Sequence, residues 1–233
     1  MQQTLTYLKL SAKAVMRQPR SLHSILKYRT LWHRYNKSSS ILERLPWICF
    51  SAIDQLERII NPGMRIFEYG SGGSTLFWST RVSHLVSIEH DKEWGEKMRT
   101  EIANNKIQNV DYFLIEPSED FDFIKKNFIN PTDYISSDLS YKGKNFANYV
   151  KKIDEYPDNS FDIILIDGRA RTSCVLHALP KLKANGFLIV DNTERSFYLH
   201  PFGLEKLNWR IWHHYGPVPF AYSFSQTTIL QKP

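Results

Sequence analysis

The chain predicts an α/β fold: an open, mostly parallel sheet of seven strands, flanked by helices, closed at one edge by an antiparallel hairpin and preceded by a helical arm. Three observations predict it. The runs 64–69, 85–88, 110–115, 161–166 and 186–190 are short, apolar and rich in β-branched and aromatic residues, the pattern of strands buried on both faces. Stretches of helical period separate most of them, as parallel connections require. The tail W-R-I-W-H-H-Y-G-P-V-P-F-A-Y-S-F-S-Q-T-T-I-L reads as two strands around a Gly-Pro turn.

The 233 residues carry a net charge of +6, unevenly spread. Residues 1–42 hold Lys9, Lys13, Arg17, Arg20, Lys27, Arg29, Arg34 and Lys37 and no acid, which leaves 22 basic against 24 acidic residues in the remainder. The basic character therefore belongs to the arm. The expected division is an arm over 1–40 and one α/β domain over 41–233. Leu5, Leu8, Ala12 and Val15, then Leu22, Ile25, Leu26 and Trp32, recur at helical spacing in the arm. Such a stripe either covers the domain or a second subunit, or lies on an anionic membrane surface. Nucleic acid is the least favoured partner. No apolar run reaches the length of a membrane span, and no cleavage site follows a continuous apolar core, so the expectation is a cytoplasmic protein, either free or held at the membrane surface by its arm. Cys49 and Cys174 stand far apart on apolar helical stripes and read as packed, reduced thiols.

In chain order, Ser38, Ser39 and Ser40 form a joint and an N-cap. One helix is expected beyond them, with Leu42, Leu45, Cys49, Ile53, Leu56 and Ile60 on one stripe and Asn61-Pro62-Gly63 as its stop. The first strand, a glycine turn and a short helix lead to the second strand. Asp91 caps a helix bearing Trp94, Met98 and Ile102. Residues 116–150 lack a sustained period and are long enough for a lid or substrate loop. A helix over 145–156 precedes the fourth strand, and another over 170–182 precedes the fifth.

The stretch 64–91 carries the chemistry. Gly70, Gly72 and Gly73 follow the first strand directly, where absent side chains leave main-chain N–H groups open to a ligand. Glu89 ends the second strand, 21 residues after Glu68, in the place from which a carboxylate accepts ribose hydroxyls. Glu68, just ahead of the turn, is ill-suited to a pyrophosphate and suits a ligand with a cationic end. Asp167 and Asp191 end the fourth and fifth strands. Ligands of open α/β sheets bind beyond these ends.

The run F-E-Y-G-S-G-G-S-T, with Glu89 and the F-D-I-I-L-I-D-G strand, resembles the class I S-adenosylmethionine-dependent methyltransferases over roughly residues 41 to 233. The resemblance implies a Rossmann-like sheet with a C-terminal antiparallel hairpin. It implies methyl transfer from S-adenosylmethionine, with an oxygen of a small molecule or sugar as the expected acceptor. It makes Glu68, Gly70, Ser71, Gly72, Ser74, Thr75, Glu89, His90 and Asp167 the donor-binding residues, with capping as the other reading of Ser74 and Thr75. Asp167 and Asp191 are the candidate catalytic acids. The chain is also similar in part to metal-dependent catechol-type O-methyltransferases, which implies Mg²⁺ on Asp167, Asp191 and Asn192. The lysine of that family, three residues after the first acid, is Ala170 here. Arg169 and Arg171 are candidates to clamp a carboxylate or phosphate of the acceptor, or else to pair with neighbouring acids. The D-G-R-A-R-x-x-C and V-D-N-T-E-R segments resemble bacterial methyltransferases associated with glycans. His177 reads as packing, and His213-His214 have no ligand partners at a recognisable spacing. The rival functions are an NAD(P)-dependent oxidoreductase and a non-catalytic methyltransferase-like subunit. A homo-oligomer is compatible with all three.

Overall fold

Alternation along the strands sets the architecture. In the computed structural model, which describes residues 2–233, the strands, apart from a two-residue pairing of Ser118–Glu119 with Lys144–Asn145, are β1 (Arg65–Tyr69), β2 (His84–Glu89), β3 (Val110–Leu114), β4 (Phe161–Ile166), β5 (Leu182–Asp191), β6 (Arg210–Pro217) and β7 (Phe224–Gln231). They form one sheet in the order β3-β2-β1-β4-β5-β7-β6. The first five run parallel, while β7 lies antiparallel between β5 and β6. Ile66, Leu85, Ile163, Leu165, Ile189 and Ile229 point to one core. Their strand neighbours Phe67, Val86, Ile164, Ile166, Leu188 and Leu230 point to the other, as a period of two requires.

The helices are α1 (Gln2–Arg17), α2 (Ser21–Tyr35), α3 (Ser40–Glu43), α4 (Phe50–Ile59), α5 (Gly73–Ser79), α6 (Lys92–Asn104), α7 (Ala147–Lys151) and α8 (Arg171–Lys181). The arm packs on the first core through Tyr7, Ala14, Ile25, Tyr28 and Trp32. The Tyr7 ring lies 4.8 Å from that of Trp32 and 5.3 Å from that of Phe224, and its hydroxyl donates to the Ile25 carbonyl at 2.6 Å. The expected stripe is buried only in part: Ile25 and Trp32 pack inward, and Val15 is half-buried against the same core. Leu5, Leu8, Leu22 and Leu26 face outward and are exposed, because the aromatic rings of the arm fill more of the space above the sheet.

Three other expectations change. The helix over 41–60 is broken between α3 and α4: Arg44 takes a left-handed conformation with φ 49°, and Pro46, which cannot supply a helical N–H, follows. The helix over 145–156 is one turn of α7 followed by 3₁₀ geometry. Gly216 and Pro217 lie within β6 rather than in the turn, pairing with Ser225 and Phe224. The turn is residues 218–223. Both cysteines are buried free thiols, as expected.

Candidate functional site

β1 stands between β2 and β4, so the chain leaves the sheet in opposite directions on either side of it, and a crevice opens beyond the strand ends. A cavity of about 560 Å³ occupies this place. Its floor is where two loops meet. Gly70 has φ +92°, and a Cβ on it would come within 2.8 Å of the Gly168 backbone. Gly70 is therefore demanded by the packing of the β1 loop on the β4 loop, beyond any need of a ligand. At Gly72 an added Cβ would meet only Trp94, at 3.7 Å. Its bareness serves the cavity it lines.

Glu68 and Thr75 do not reach the cavity. Both are fully buried. The Thr75 hydroxyl donates to Oε2 of Glu68 at 2.6 Å and accepts from the Gly72 N–H at 3.0 Å. The Ser87 hydroxyl donates to the same carboxylate oxygen at 2.6 Å. Glu68 thus holds the glycine turn from beneath. Its Oε1 is buried without a well-formed hydrogen bond, and burial, opposed by the nearby hydroxyls, pushes its pKa up to about 7.

Glu89 lines the cavity. Oε2 accepts from the Ser71 N–H at 3.0 Å and the Ser71 hydroxyl at 2.9 Å, and Oε1 from the N–H groups of His90 at 2.7 Å and Asp91 at 3.0 Å. Burial alone would raise its pKa, but the His90 ring and these N–H donors outweigh that and hold it below the ordinary carboxylate value. Ser71 and Ser74 line the same wall. So does His90, whose Nε2 lies 2.8 Å from the Tyr141 hydroxyl and so fastens the segment 139–141 over the site.

Across the floor, Arg171 joins the other two strand-end acids. Its Nη2 donates to Oδ1 of Asp167 at 3.0 Å, its Nη1 lies 3.9 Å from Oδ2 of Asp191 and donates to the Asp191 carbonyl, and its Nε donates to the Gly168 carbonyl at 3.0 Å. Oδ1 of Asp191 accepts from the Thr227 hydroxyl at 2.6 Å. Burial pushes both carboxyls up, against the pull of Arg171, and a neighbouring charge adds to it, that of Glu68 at Asp167 and that of Asp167 at Asp191. Of the two readings of Arg171, pairing with neighbouring acids is the one found: its guanidinium is spent on Asp167, Asp191 and main-chain carbonyls, so it is not a free acceptor clamp. The set Asp167, Asp191 and Asn192 also does not fit Mg²⁺, because Oδ1 of Asp167 and both carboxylate oxygens of Asp191 are already engaged by Arg171 and Thr227, which leaves too few free oxygens for an octahedral ion. Among the described residues no group of three His, Cys, Asp or Glu is placed to hold a metal ion.

Arg169 does face the cavity. It pairs with Asp138 at 3.2 Å and stacks over Tyr141 at 5.4 Å. Sequence reasoning missed much of the rim: Ser40, Trp47, Asp91, Trp94, Ser223 and Ser225. Trp94 was read as a packing residue of α6, yet its Nε1 donates to the Ser71 carbonyl at 2.9 Å and its ring flanks the glycine turn. Gly73 offers the one signal that could have placed Ser40. A Cβ there would come within 2.1 Å of the Ser40 carbonyl.

The fold places this chain among known structures. A candidate methyltransferase from Streptococcus mutans in complex with SAH is 12% identical and superposes over 78% of this chain and 96% of its own, with a TM-score of 0.51. An rRNA methylase from Streptococcus thermophilus is 10% identical over 78% and 93%, with a TM-score of 0.52. A candidate O-methyltransferase from Klebsiella pneumoniae is 15% identical over 78% and 77%, with a TM-score of 0.51. No protein-family model matches the sequence, and no curated protein does. The chain has the fold of the class I S-adenosylmethionine-dependent methyltransferases: the Rossmann-like parallel sheet with its antiparallel β7 inserted beside β5. No helix among the described residues is long and apolar enough to cross a membrane.

Proposed function

We propose that the protein transfers a methyl group from S-adenosylmethionine to an oxygen of a small-molecule or sugar acceptor. The observation that carries this reading is the charge of the cavity floor. Glu89, Asp167 and Asp191 line it, Glu68 lies beneath, and the buried Arg171 is already shared between two of the four. An excess of buried carboxylate disfavours a pyrophosphate and favours a ligand bearing a sulfonium and an ammonium. The residues fit such a donor: bare main chain at Gly72, an acid at the end of β2, an indole at the rim, and a volume within the range of small-molecule sites.

On this reading Glu89 takes the ribose hydroxyls, with the Ser71 hydroxyl yielding its place on Oε2. Asp167 holds the ammonium of the methionine end, and Trp94 and His90 border the base. The donor supplies an electrophilic methyl group, so the chain's own tasks are to place the acceptor oxygen in line and take its proton. Asp191 is the proton acceptor, its carboxyl raised towards neutrality by burial and by Asp167. Arg171 positions both acids.

Calorimetric titration with S-adenosylmethionine, S-adenosylhomocysteine, NAD and NADP, each with EDTA and with Mg²⁺, tests the reading. Micromolar binding of the two sulfur nucleosides, unchanged by EDTA, is expected. Binding of NAD in their place would overturn it.

A further inference from the structure

Beside the donor cavity lies a second one, of about 200 Å³, that the strand-end acids do not explain. The two share Gly168, Arg169, Arg171 and Asn192, so the second opens off the first at the β4 and β5 ends. Its remaining walls come from the segment 136–138 and from Arg195 and Tyr198, far apart in sequence.

The donors outnumber the acceptors here. The charge of Arg171 is taken up by Asp167 and Asp191. That leaves two guanidinium groups, Arg169 and Arg195, against one carboxylate, Asp138. Both oxygens of Asp138 are engaged: Oδ1 accepts from the Ser140 hydroxyl at 2.7 Å and N–H at 3.1 Å, and Oδ2 faces Arg169 at 3.2 Å. Arg195 uses one nitrogen, which donates to the Tyr198 hydroxyl at 3.1 Å. Arg169 keeps its Nε buried without a partner. The Ser136 hydroxyl oxygen accepts from the Asp138 N–H at 3.1 Å, leaving its own proton to donate. Ala170, also in the wall, has φ 48° and starts α8 with no side chain capping it, so the positive end of the helix adds to the same field. Buried donors without acceptors are costly, and an oxyanion is the ligand that satisfies guanidinium, hydroxyl and N–H together.

We propose that this second cavity binds an anionic group of the methyl acceptor, a phosphoryl or a carboxylate, between Arg169 and Arg195, and so selects acceptors that carry such a group near the methylated hydroxyl. The role rests on the methyl-transfer reading, but the anion site itself does not. Arg195 is exposed, so its replacement leaves the fold intact.

The test is calorimetric or NMR titration of the full chain, saturated with S-adenosylhomocysteine, with inorganic phosphate, glucuronate and glucose at constant ionic strength. Saturable millimolar binding of phosphate or glucuronate, but not of glucose, is expected, and the stronger of the two tells whether phosphoryl or carboxylate is the natural group. Arg195→Gln should weaken that binding at least fivefold and leave the affinity for S-adenosylhomocysteine within twofold. Glucose binding as well as glucuronate, no anion binding at all, or anion binding indifferent to Arg195→Gln would each overturn the proposal while the donor reading stands. Failure of S-adenosylhomocysteine to bind would instead remove the donor reading, and the anion arms run without it still decide the site.

Discussion

The two halves of the cavity floor are built by different means. On the β1–β2 side the hydrogen-bond partners of the two acids come from within about 20 residues of chain. Ser71 reaches Glu89 across 18 residues, Thr75 reaches Glu68 across seven, and the acids finish with main-chain donors and hydroxyls. On the β4–β5 side the acids depend on one cation and on distant chain: Arg171 spans from Asp167 to Asp191, and Thr227 reaches Asp191 from 36 residues away. The first half is held by hydrogen bonds to carboxylates, the second by a buried ion triad. Breaking the two should therefore have different consequences.

The largest effect is expected from Arg171→Met. Removing the guanidinium leaves two buried carboxylates facing each other, and breaking a buried ionic group of this kind costs about 3–5 kcal/mol. Urea denaturation at pH 8 measures it. Adding Asp191→Asn to that variant should recover a substantial part, since one buried charge is then gone. A loss below about 1 kcal/mol for Arg171→Met would mean that the triad is not what holds the β4 and β5 ends together.

The first half answers to pH instead. The folded pKa of Glu68 is about 7 against an ordinary value of 4.5. Between those values the folded chain holds a proton that the unfolded chain releases, so stability from this group falls as pH rises. At about 1.4 kcal/mol per unit the contribution is on the order of 3 kcal/mol. Glu68→Gln removes the titration. Whatever its buried amide costs at every pH, the variant should gain on the wild type by that order between pH 4.5 and pH 7, and no further above. Parallel denaturation curves at pH 5 and pH 8 check this, and an unchanged difference would place the proton elsewhere.

This contrast also explains what could be read from the residues alone. The strands, their order of appearance, the glycine turn and the four strand-end acids were legible because each is a local pattern: an apolar run, a turn, an acid at a boundary. Arg171 was legible only as one of two readings, an acceptor clamp or a partner of the strand-end acids, since nothing in D-G-R-A-R tells which arginine turns inward. Arg195, Trp94 and Trp47 were not legible as cavity residues, because their places depend on how far-apart segments fold over the sheet. The arm misled for a related reason. Of its expected stripe Ile25 and Trp32 are buried, but Leu5, Leu8, Leu22 and Leu26 are not, and their place is taken by Tyr7, a larger ring outside the stripe with more surface to lose.

A pair of glycines sharpens the comparison further. Gly70→Ala meets both a left-handed φ of +92° and the Gly168 backbone at 2.8 Å, so it should destabilise the fold by about 1–3 kcal/mol. Gly72→Ala meets only the Trp94 ring at 3.7 Å and should leave stability within about 0.5 kcal/mol. Its methyl group projects where the donor would lie, so the affinity for S-adenosylhomocysteine should drop about tenfold. Thermal melts with and without S-adenosylhomocysteine separate the two. Equal affinity in Gly72→Ala would mean that the donor does not approach this turn.

The smallest effect on stability is expected on the outward face of the arm, whose helix carries both kinds of residue. Tyr7 is buried against Trp32 and Phe224, and Tyr7→Ala should cost about 3 kcal/mol or more, as large aromatic truncations do. Leu5, Leu8 and Met16 are 54%, 54% and 79% exposed on the opposite face, beside Lys9 and Lys13. Changing all three to Ser should move stability by less than about 0.5 kcal/mol. An outward row of apolar side chains flanked by lysines, in a segment without a single acid, is suited to the surface of an anionic bilayer. On that reading the intact protein floats with phosphatidylglycerol vesicles, not with phosphatidylcholine ones, and 0.5 M salt releases it in part, the charge attraction being screened while apolar insertion persists (roughly a 4 Å Debye length at that strength). The triple Ser variant should stay folded and fail to float. Wild type that never floats, or a triple variant that floats as well as wild type, would remove the bilayer from consideration and leave the exposed leucines as ordinary surface.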